Sequence, residues 1–460
     1  MSNSASTEQG EWPASWLTLE HGIRTGRYTD TEFTKLEHEK LWLKVWQMAA
    51  RLDEIPEPGD HTVYEIGEQS VLLVRVDADN IKAFHNFCPH RGTALAECSG
   101  SFEKPRIICP FHGWRWNLSG EIQYVLERDN FNGGNLKDSD VALREVNFEI
   151  FAGFVFINFD KNPQPFEDYI APVKDLIEGL AVGEMHHYWW KSATAPCNWK
   201  VAVEAFLEGY HVPATHPQLE TPGADFIFGD DVSGEVTYAH DNHFYETFDK
   251  GHGRFYGGPN TPMAGKTRLP GDPVDMMADR LNLLVEGMDA MVLKEDVDLV
   301  RSLKGKSIPE GSSLGGEYVK ALYTTAAAEE RPMPKMAPEI LEMWGGEIFV
   351  FPNLLILPQA GNVMMYRMRP NGNNPDECTF EIYSTKSYPA AKPVPRAEVQ
   401  AMSDVSDPEQ FLQIPRQDFA NVPRIQKGLH TSGCKQIWLA SYYEKIILNM
   451  HQEMDRYLKA

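Results

Sequence analysis

The sequence predicts an α+β chain in which a small antiparallel β unit precedes a larger unit of helices and antiparallel sheet. Three observations carry this expectation. Apolar residues recur at near-helical spacing before residue 48 and at strand spacing between Gly59 and Asp160, and short strand patterns return after residue 345. A chain of 460 residues also exceeds what one simple core accommodates. The expected layout is a helical segment over 1–48 that packs with the larger unit, a β domain over 49–162, and a larger domain over 163–460 with a variable insertion at about 221–345.

In order, Phe33 with Leu36 and Leu43 with Trp46 mark one or two helices between Thr29 and Met48. The runs His61–Ile66, Ser70–Arg75 and Gly153–Asn158, separated by Gly, Asp and Asn turn signals, then read as strands. Asn198–Tyr210 reads as a helix with Val201, Phe206 and Leu207 on its apolar positions. The stretch from about Thr221 to Gly345 looks like insertion and loop around one long helical pattern, Val274–Leu303. Ile348–Phe351, Leu354–Leu357, Val363–Tyr366 and Thr379–Tyr383 return to strand signals, and a helix over Ala440–Tyr457 closes the chain.

Acidic residues outnumber basic ones by 66 to 43, a net charge of −23, so nucleic acid and anionic membrane surfaces would be repelled. A basic protein partner, or solubility alone, suits this balance. The segment Met1–Trp12 lacks the layout of a signal peptide and no stretch approaches 18 consecutive apolar residues, so a soluble, cytoplasmic protein is expected. Cys98, Cys197, Cys378 and Cys434 fall at irregular spacing and read as free thiols. Gly251-His-Gly253-Arg-Phe-Tyr256 lacks the third glycine of a dinucleotide fingerprint, so a nicotinamide cofactor has no usual binding device here.

Two runs carry metal chemistry. Cys88-Pro-His90-Arg-Gly and Cys109-Pro-Phe-His112-Gly-Trp each pair one Cys with one His inside a turn-forming loop. Such a set suits a Rieske [2Fe-2S] centre, where two thiolates hold one iron and two imidazoles the other. Two Cys and two His also satisfy tetrahedral zinc, although zinc sites usually group like ligands. A second constellation lies in Glu204-Ala-Phe-Leu-Glu208-Gly-Tyr-His211-Val-Pro-Ala-Thr-His216, where a turn at Pro213 lets the two histidines converge on one metal.

On these motifs, in this order, the chain resembles the α subunits of Rieske non-haem iron, ring-hydroxylating oxygenases. Thr93, Phe111, Trp114 and Trp116 stand where respiratory Rieske proteins carry extra cysteines and hydroxyl donors. Fewer hydrogen bonds to the cluster sulfurs imply a potential near the bottom of the range of about −150 to +300 mV. The resemblance implies a helix-grip, START-like catalytic domain, a cluster on Cys88, His90, Cys109 and His112, and mononuclear iron(II) on His211, His216 and a downstream carboxylate. Asp418 matches that position best, with Asp407 and Glu409 in reserve. Ala205 replaces a common Asn, and Glu208 stands where several dioxygenases have an Asp that bridges the centres, here reaching His211 on one side and a cluster histidine such as His112 on the other.

The implied activity is that of a terminal oxygenase fed by a separate ferredoxin or flavin reductase, which hydroxylates or dihydroxylates an apolar aromatic or cyclic substrate. A monooxygenase or an O- or N-demethylase stays open, as does a pure electron-transfer protein. Resemblance further implies a head-to-tail homotrimer, with a β subunit conceivable. Ala205, Leu207, Val212, Phe349, Phe351, Leu355, Met276, Met277, Met288 and Met291 are the expected pocket residues, and their apolar character favours a hydrophobic substrate.

Overall fold

A computed structural model describes residues 12–220, 243–257, 271–335 and 346–460. Its main element is an eight-stranded sheet in the order His243–Thr247, Gly253–Gly257, Gly346–Val350, Leu354–Gln359, Asn362–Pro370, Cys378–Lys386, His186–Ala195 and Val399–Met402, antiparallel except at the last pair. Both faces are covered, which is why Asn362–Pro370 is an unbroken buried run and why simple alternation is hard to read there.

The two faces do different work. Arg367 lies opposite Glu381 and donates to it from Nε and Nη2 at 2.8 and 2.9 Å; Arg369 donates to the same carboxylate. Burial opposes the charge, but the two guanidinium groups hold Glu381 down at about 2. Arg367 also reaches the Ala49 carbonyl and Arg369 the Glu65 carbonyl, so this face is bonded to the N-terminal β domain. Tyr366, Met368 and Phe380 point the other way. There they meet Phe206, just past the helix Trp199–Glu204, and Phe419 on the helix Gln413–Leu429.

The N-terminal β domain contains three small sheets: Ile81–His85, Gln69–Arg75, Asp60–Ile66 and Gly100–Ser101; Ile122–Tyr124, Arg115–Asn117 and Arg106–Ile108; and Asn147–Phe151, Phe154–Asn158 and Gln47–Arg51. Gln47 pairs with Ile157, so the chain enters and leaves this domain side by side. Met48 and Asn353 exchange two hydrogen bonds of 3.0 Å, fastening that sheet to the larger domain.

Residues before this domain return to the far end of the chain. Gly22–Arg24 pairs with Gln436–Trp438, and Arg27 donates to Asp455 at 2.5 Å. Beside them the Tyr28 hydroxyl donates to Glu204 at 2.9 Å, and Lys200 is paired with Glu37 at 2.7 Å with both side chains fully buried.

Several elements differ from expectation. The Asn198 helix stops at Glu204, leaving Glu208 and His211 on the turn beyond it. The pattern expected over Val274–Leu303 is two helices, Pro273–Met288 and Lys294–Arg301, broken where Asp289 adopts a left-handed φ of 46°. The region 221–345 is not only insertion, because His243–Thr247 and Gly253–Gly257 are strands of the main sheet. Gly251 and Gly253 serve the turn and strand of that hairpin. The closing helix is Lys445–Leu458. Cys197 and Cys378 lie 3.9 Å apart as free thiols, and all six cysteines are free. No helix among the described residues is long and apolar enough to cross a membrane.

Candidate metal centres

The two Cys-His loops fold alike. Gly92 N–H donates to the Cys88 carbonyl and Gly113 N–H to that of Cys109, at 2.9 and 3.0 Å, while Cys88 N–H reaches Thr93 O and Cys109 N–H reaches Trp114 O. Closing so tight a turn needs φ of +80° at Gly92 and +70° at Gly113, a region that L side chains rarely adopt. The turns bring the His90 and His112 rings to 4.6 Å, with Trp114 stacked on His90. Cys88 and Cys109 are buried, and burial together with the neighbouring Cys109 thiol pushes Cys88 up to about 11.

The loop geometry fits a cluster. Among the described residues Nδ1 of His90 and Nδ1 of His112 are buried without a hydrogen-bond partner, a costly state for free imidazoles and the natural one for ligand atoms. Neither Trp114 nor Trp116 supplies a hydroxyl; Trp116 Nε1 is committed to the Val141 carbonyl at 2.8 Å.

The second centre gathers His211, His216 and Asp418, whose candidate ligand atoms lie within 4.8 Å of one another. The short helix Val212–Thr215, with Pro213 in its first turn, turns both imidazoles to one side. Asp418 Oδ1 is 2.9 Å from His216 Nε2 and 3.8 Å from His211 Nε2. The other ring nitrogens are engaged: His211 Nδ1 with Glu208 Oε1 and His216 Nδ1 with Gln417 Oε1, each at 2.8 Å. Those acceptors place the ring protons on Nδ1 and leave both Nε2 atoms to face Asp418. Two imidazoles and one carboxylate with an open side suit iron(II). Burial works against a charged His211, yet the Glu208 carboxylate bonded to it and then Asp418 push it up to about 9 in the absence of metal.

Sequence reasoning missed Gln417 and Gln218, whose paired amides hold His216. The reserve acid Asp407 is spent elsewhere, accepting the Glu409 N–H in a local turn. Of the expected pocket residues, Phe349 and Leu355 lie on the sheet face toward the centre. Phe351 instead stacks on Tyr457, and Met277 belongs to a separate small core with Val274, Ala278 and Leu281. Gly287 lets the Pro273–Met288 helix approach the helix that carries Asp418, since a Cβ there would sit 2.7 Å from Ile414 Cδ1. Among the described residues no hydrogen bond joins Glu208 to His112 within the chain; its imidazole partner is His211.

Residues 182–287 and 308–460 match the family of ring hydroxylating alpha subunits (catalytic domain), and residues 45–133 match the Rieske [2Fe-2S] domain. The chain belongs to that α-subunit family. Its cofactors are accordingly a Rieske [2Fe-2S] cluster and mononuclear iron. Similar curated proteins include the carnitine monooxygenase oxygenase subunit of Escherichia coli K12, 34% identical over 41% of this chain and 50% of its own length. Another is the glycine betaine monooxygenase oxygenase subunit of Pseudomonas aeruginosa, 26% identical over 42% of this chain and 44% of its own. The chain thus spans about half the length of the curated relatives it matches. Among solved structures, the quaternary ammonium Rieske monooxygenase CntA with L-carnitine aligns over 96% of both chains at 17% identity and a TM-score of 0.62. Naphthalene 1,2-dioxygenase from a Rhodococcus species aligns over 95% and 94% at 19% identity and a TM-score of 0.63, so the α-subunit fold is shared across both.

Proposed function

We propose that the chain is the terminal oxygenase component of a multicomponent Rieske oxygenase, with its cluster on Cys88, His90, Cys109 and His112 and its iron(II) on His211, His216 and Asp418. The observation that carries this reading is the convergence of these two histidines and Asp418 on the turn and helix that flank one sheet face. Iron so held would supply dioxygen activation. The protein's part is to fix the ring tautomers through Glu208 and Gln417, to keep an open side at the metal, and to line the approach with Phe349, Leu355 and Tyr366.

Glu208 sits buried beside partly exposed His211 and exposed Tyr210, whereas Phe111 is exposed at the cluster tip. These two ends support transfer between neighbouring copies in a head-to-tail trimer, with Glu208 between the centres. A ferredoxin or flavin reductase would supply electrons, and a β subunit is not required by this arrangement. The domains would divide at about residues 49–162 and 163–460, in a cytoplasmic enzyme. The names of the carnitine and glycine betaine relatives support insertion of one oxygen atom, the monooxygenase alternative, over dihydroxylation of an aromatic hydrocarbon.

Purified protein should be red-brown, give a Rieske-type paramagnetic signal on reduction, and hold iron beyond the cluster. Product formed under isotopically labelled dioxygen should carry one labelled atom. A colourless protein with stoichiometric zinc would overturn the reading; two labelled atoms would overturn only the monooxygenase part.

A further inference from the structure

Among the described residues Glu347 is a buried carboxylic acid without a partner. It is 4% exposed, its Oε1 meets no donor, and among the described residues it forms no ion pair. Its position in the sheet says where it looks. Glu347 lies opposite Phe255, which lies opposite Tyr245, and the Tyr245 hydroxyl accepts the N–H of Gly209, next to Glu208. Two residues along the same strand, Phe349 lies opposite Leu355, itself opposite Tyr366, whose ring stacks on Phe206 with centroids 4.2 Å apart. Because side chains two apart share a face, Glu347 projects to the side that carries the His211 turn, away from Arg367 and Glu381. Burial first, and then the charges of Glu208 and Asp418, raise its pKa well above the ordinary carboxylate range, which places it within electrostatic reach of the iron centre.

A lone carboxyl in an apolar wall is expensive, and folded proteins pair such groups unless a ligand completes them. Among the described residues no cation is paired with it. The surrounding groups supply aromatic faces, whose quadrupoles attract positive charge and whose surfaces exclude water. We propose that Glu347 is the recognition group for a substrate bearing a positively charged nitrogen, with an alkylammonium cation held between its carboxylate and the rings of Phe255, Tyr366 and Phe206. The cation restores charge to Glu347, and the ammonium anchor turns the rest of the substrate toward the open side of the His211, His216 and Asp418 centre. Glu347 then acts in specificity and placement, without taking part in bond making. The proposal rests on the oxygenase reading only in calling the bound molecule a substrate.

Choline and its uncharged carbon isostere 3,3-dimethylbutan-1-ol differ in charge at nearly constant shape, so they isolate the effect. Calorimetric titration of the full chain should give at least about tenfold tighter binding of choline, a gap of about 1.4 kcal/mol. Glu347→Gln should erase that preference while leaving binding of the isostere within about twofold, by the loss of charge alone. Glu347→Asp, which keeps the charge on a shorter arm, should bind choline more weakly yet retain the preference; it also serves if the Gln variant fails to fold. Equal affinities in the unaltered protein, no binding of either probe, or a preference that survives Glu347→Gln would each overturn the proposal. Cluster absorbance and iron content measured on the same samples report separately on the oxygenase reading, since the titration needs no turnover.

Discussion

Gln417→Leu tests how the iron centre is held. The His216 ring has an acceptor on each side, Gln417 Oε1 at 2.8 Å from Nδ1 and Asp418 Oδ1 at 2.9 Å from Nε2. A neutral imidazole carries one ring proton, and a ring that ligates through Nε2 must carry it on Nδ1. With Gln417 present, that proton has a partner in the metal-bound form. With Leu in its place, the metal-free ring moves the proton to Nε2 and donates to Asp418, so neither group is ready for iron. The metal-bound form is left with a buried N–H, His216 being only 3% exposed. An unsatisfied buried donor costs about 1–3 kcal/mol, and loss of such an orienting partner typically weakens metal binding about 10–100-fold, about 1.4–2.8 kcal/mol. The two routes agree in size. Competition with a graded iron(II) chelator, followed by iron counts, measures the change, with cluster absorbance as the internal control. Gln417→Glu, which keeps an acceptor, should bind iron at least as well as the unaltered protein. An affinity within twofold of the original for Gln417→Leu, or equal losses in the two variants, would refute the tautomer argument.

Other perturbations separate the two centres and the scaffold. His211→Ala should leave the cluster spectrum intact and abolish turnover, whereas Cys88→Ser should lose the cluster and keep iron at the second site; absorption spectra with metal counts check both. Glu208→Gln should retain both metals while single-turnover cluster oxidation slows by orders of magnitude, and unchanged oxidation kinetics would remove Glu208 from the electron path. Glu381→Gln leaves Arg367 and Arg369 buried without their carboxylate and should cost about 3–5 kcal/mol in denaturant unfolding. Glu204 bears on pH. Burial raises it to about 8, although the Tyr28 hydrogen bond and Lys200 pull the other way. The folded state therefore keeps a proton that the unfolded chain releases near its ordinary value of 4.5, so stability falls as pH rises between about 5 and 8 and levels off above. Up to a few kcal/mol is involved, at about 1.36 kcal/mol per pKa unit. Glu204→Gln should flatten this dependence in unfolding midpoints measured from pH 5 to 9.

The cluster loops were legible because their chemistry and their turns are local: a Cys and a His two or three residues apart, with glycine where φ must be positive. His211 and His216 were legible for the same reason. Asp418 was not, since its partners lie two hundred residues upstream, and only the resemblance pointed to it. A weak local trace exists in the helix Gln413–Leu429, where Gln417 and Asp418 interrupt the buried stripe of Ile414, Phe419 and Val422. Polar residues inside an apolar stripe need partners, and here the partners are the site. Strand His243–Thr247 escaped notice because it is short and follows a Gly- and Asp-rich stretch. The break at Asp289 escaped because neither Gly nor Pro occupies that position. Glu347, just before the strand pattern Ile348–Phe351, carries no signal in the sequence; only the sheet register reveals which face it occupies.

The bonds from Met48 to Asn353, from Arg367 to Ala49 and from Arg51 to the Met185 carbonyl cross from the β domain to the larger domain at buried positions. So fastened, the domain is tied down at its base, and its entry and exit strands are zipped together at Gln47 and Ile157. A cluster held there would behave as a fixed electrode rather than a swinging shuttle. Electrons would leave it at a rate set by the gap to the acceptor and the driving force, and a viscous solvent should slow the arrival of a donor protein without slowing the passage from cluster to iron.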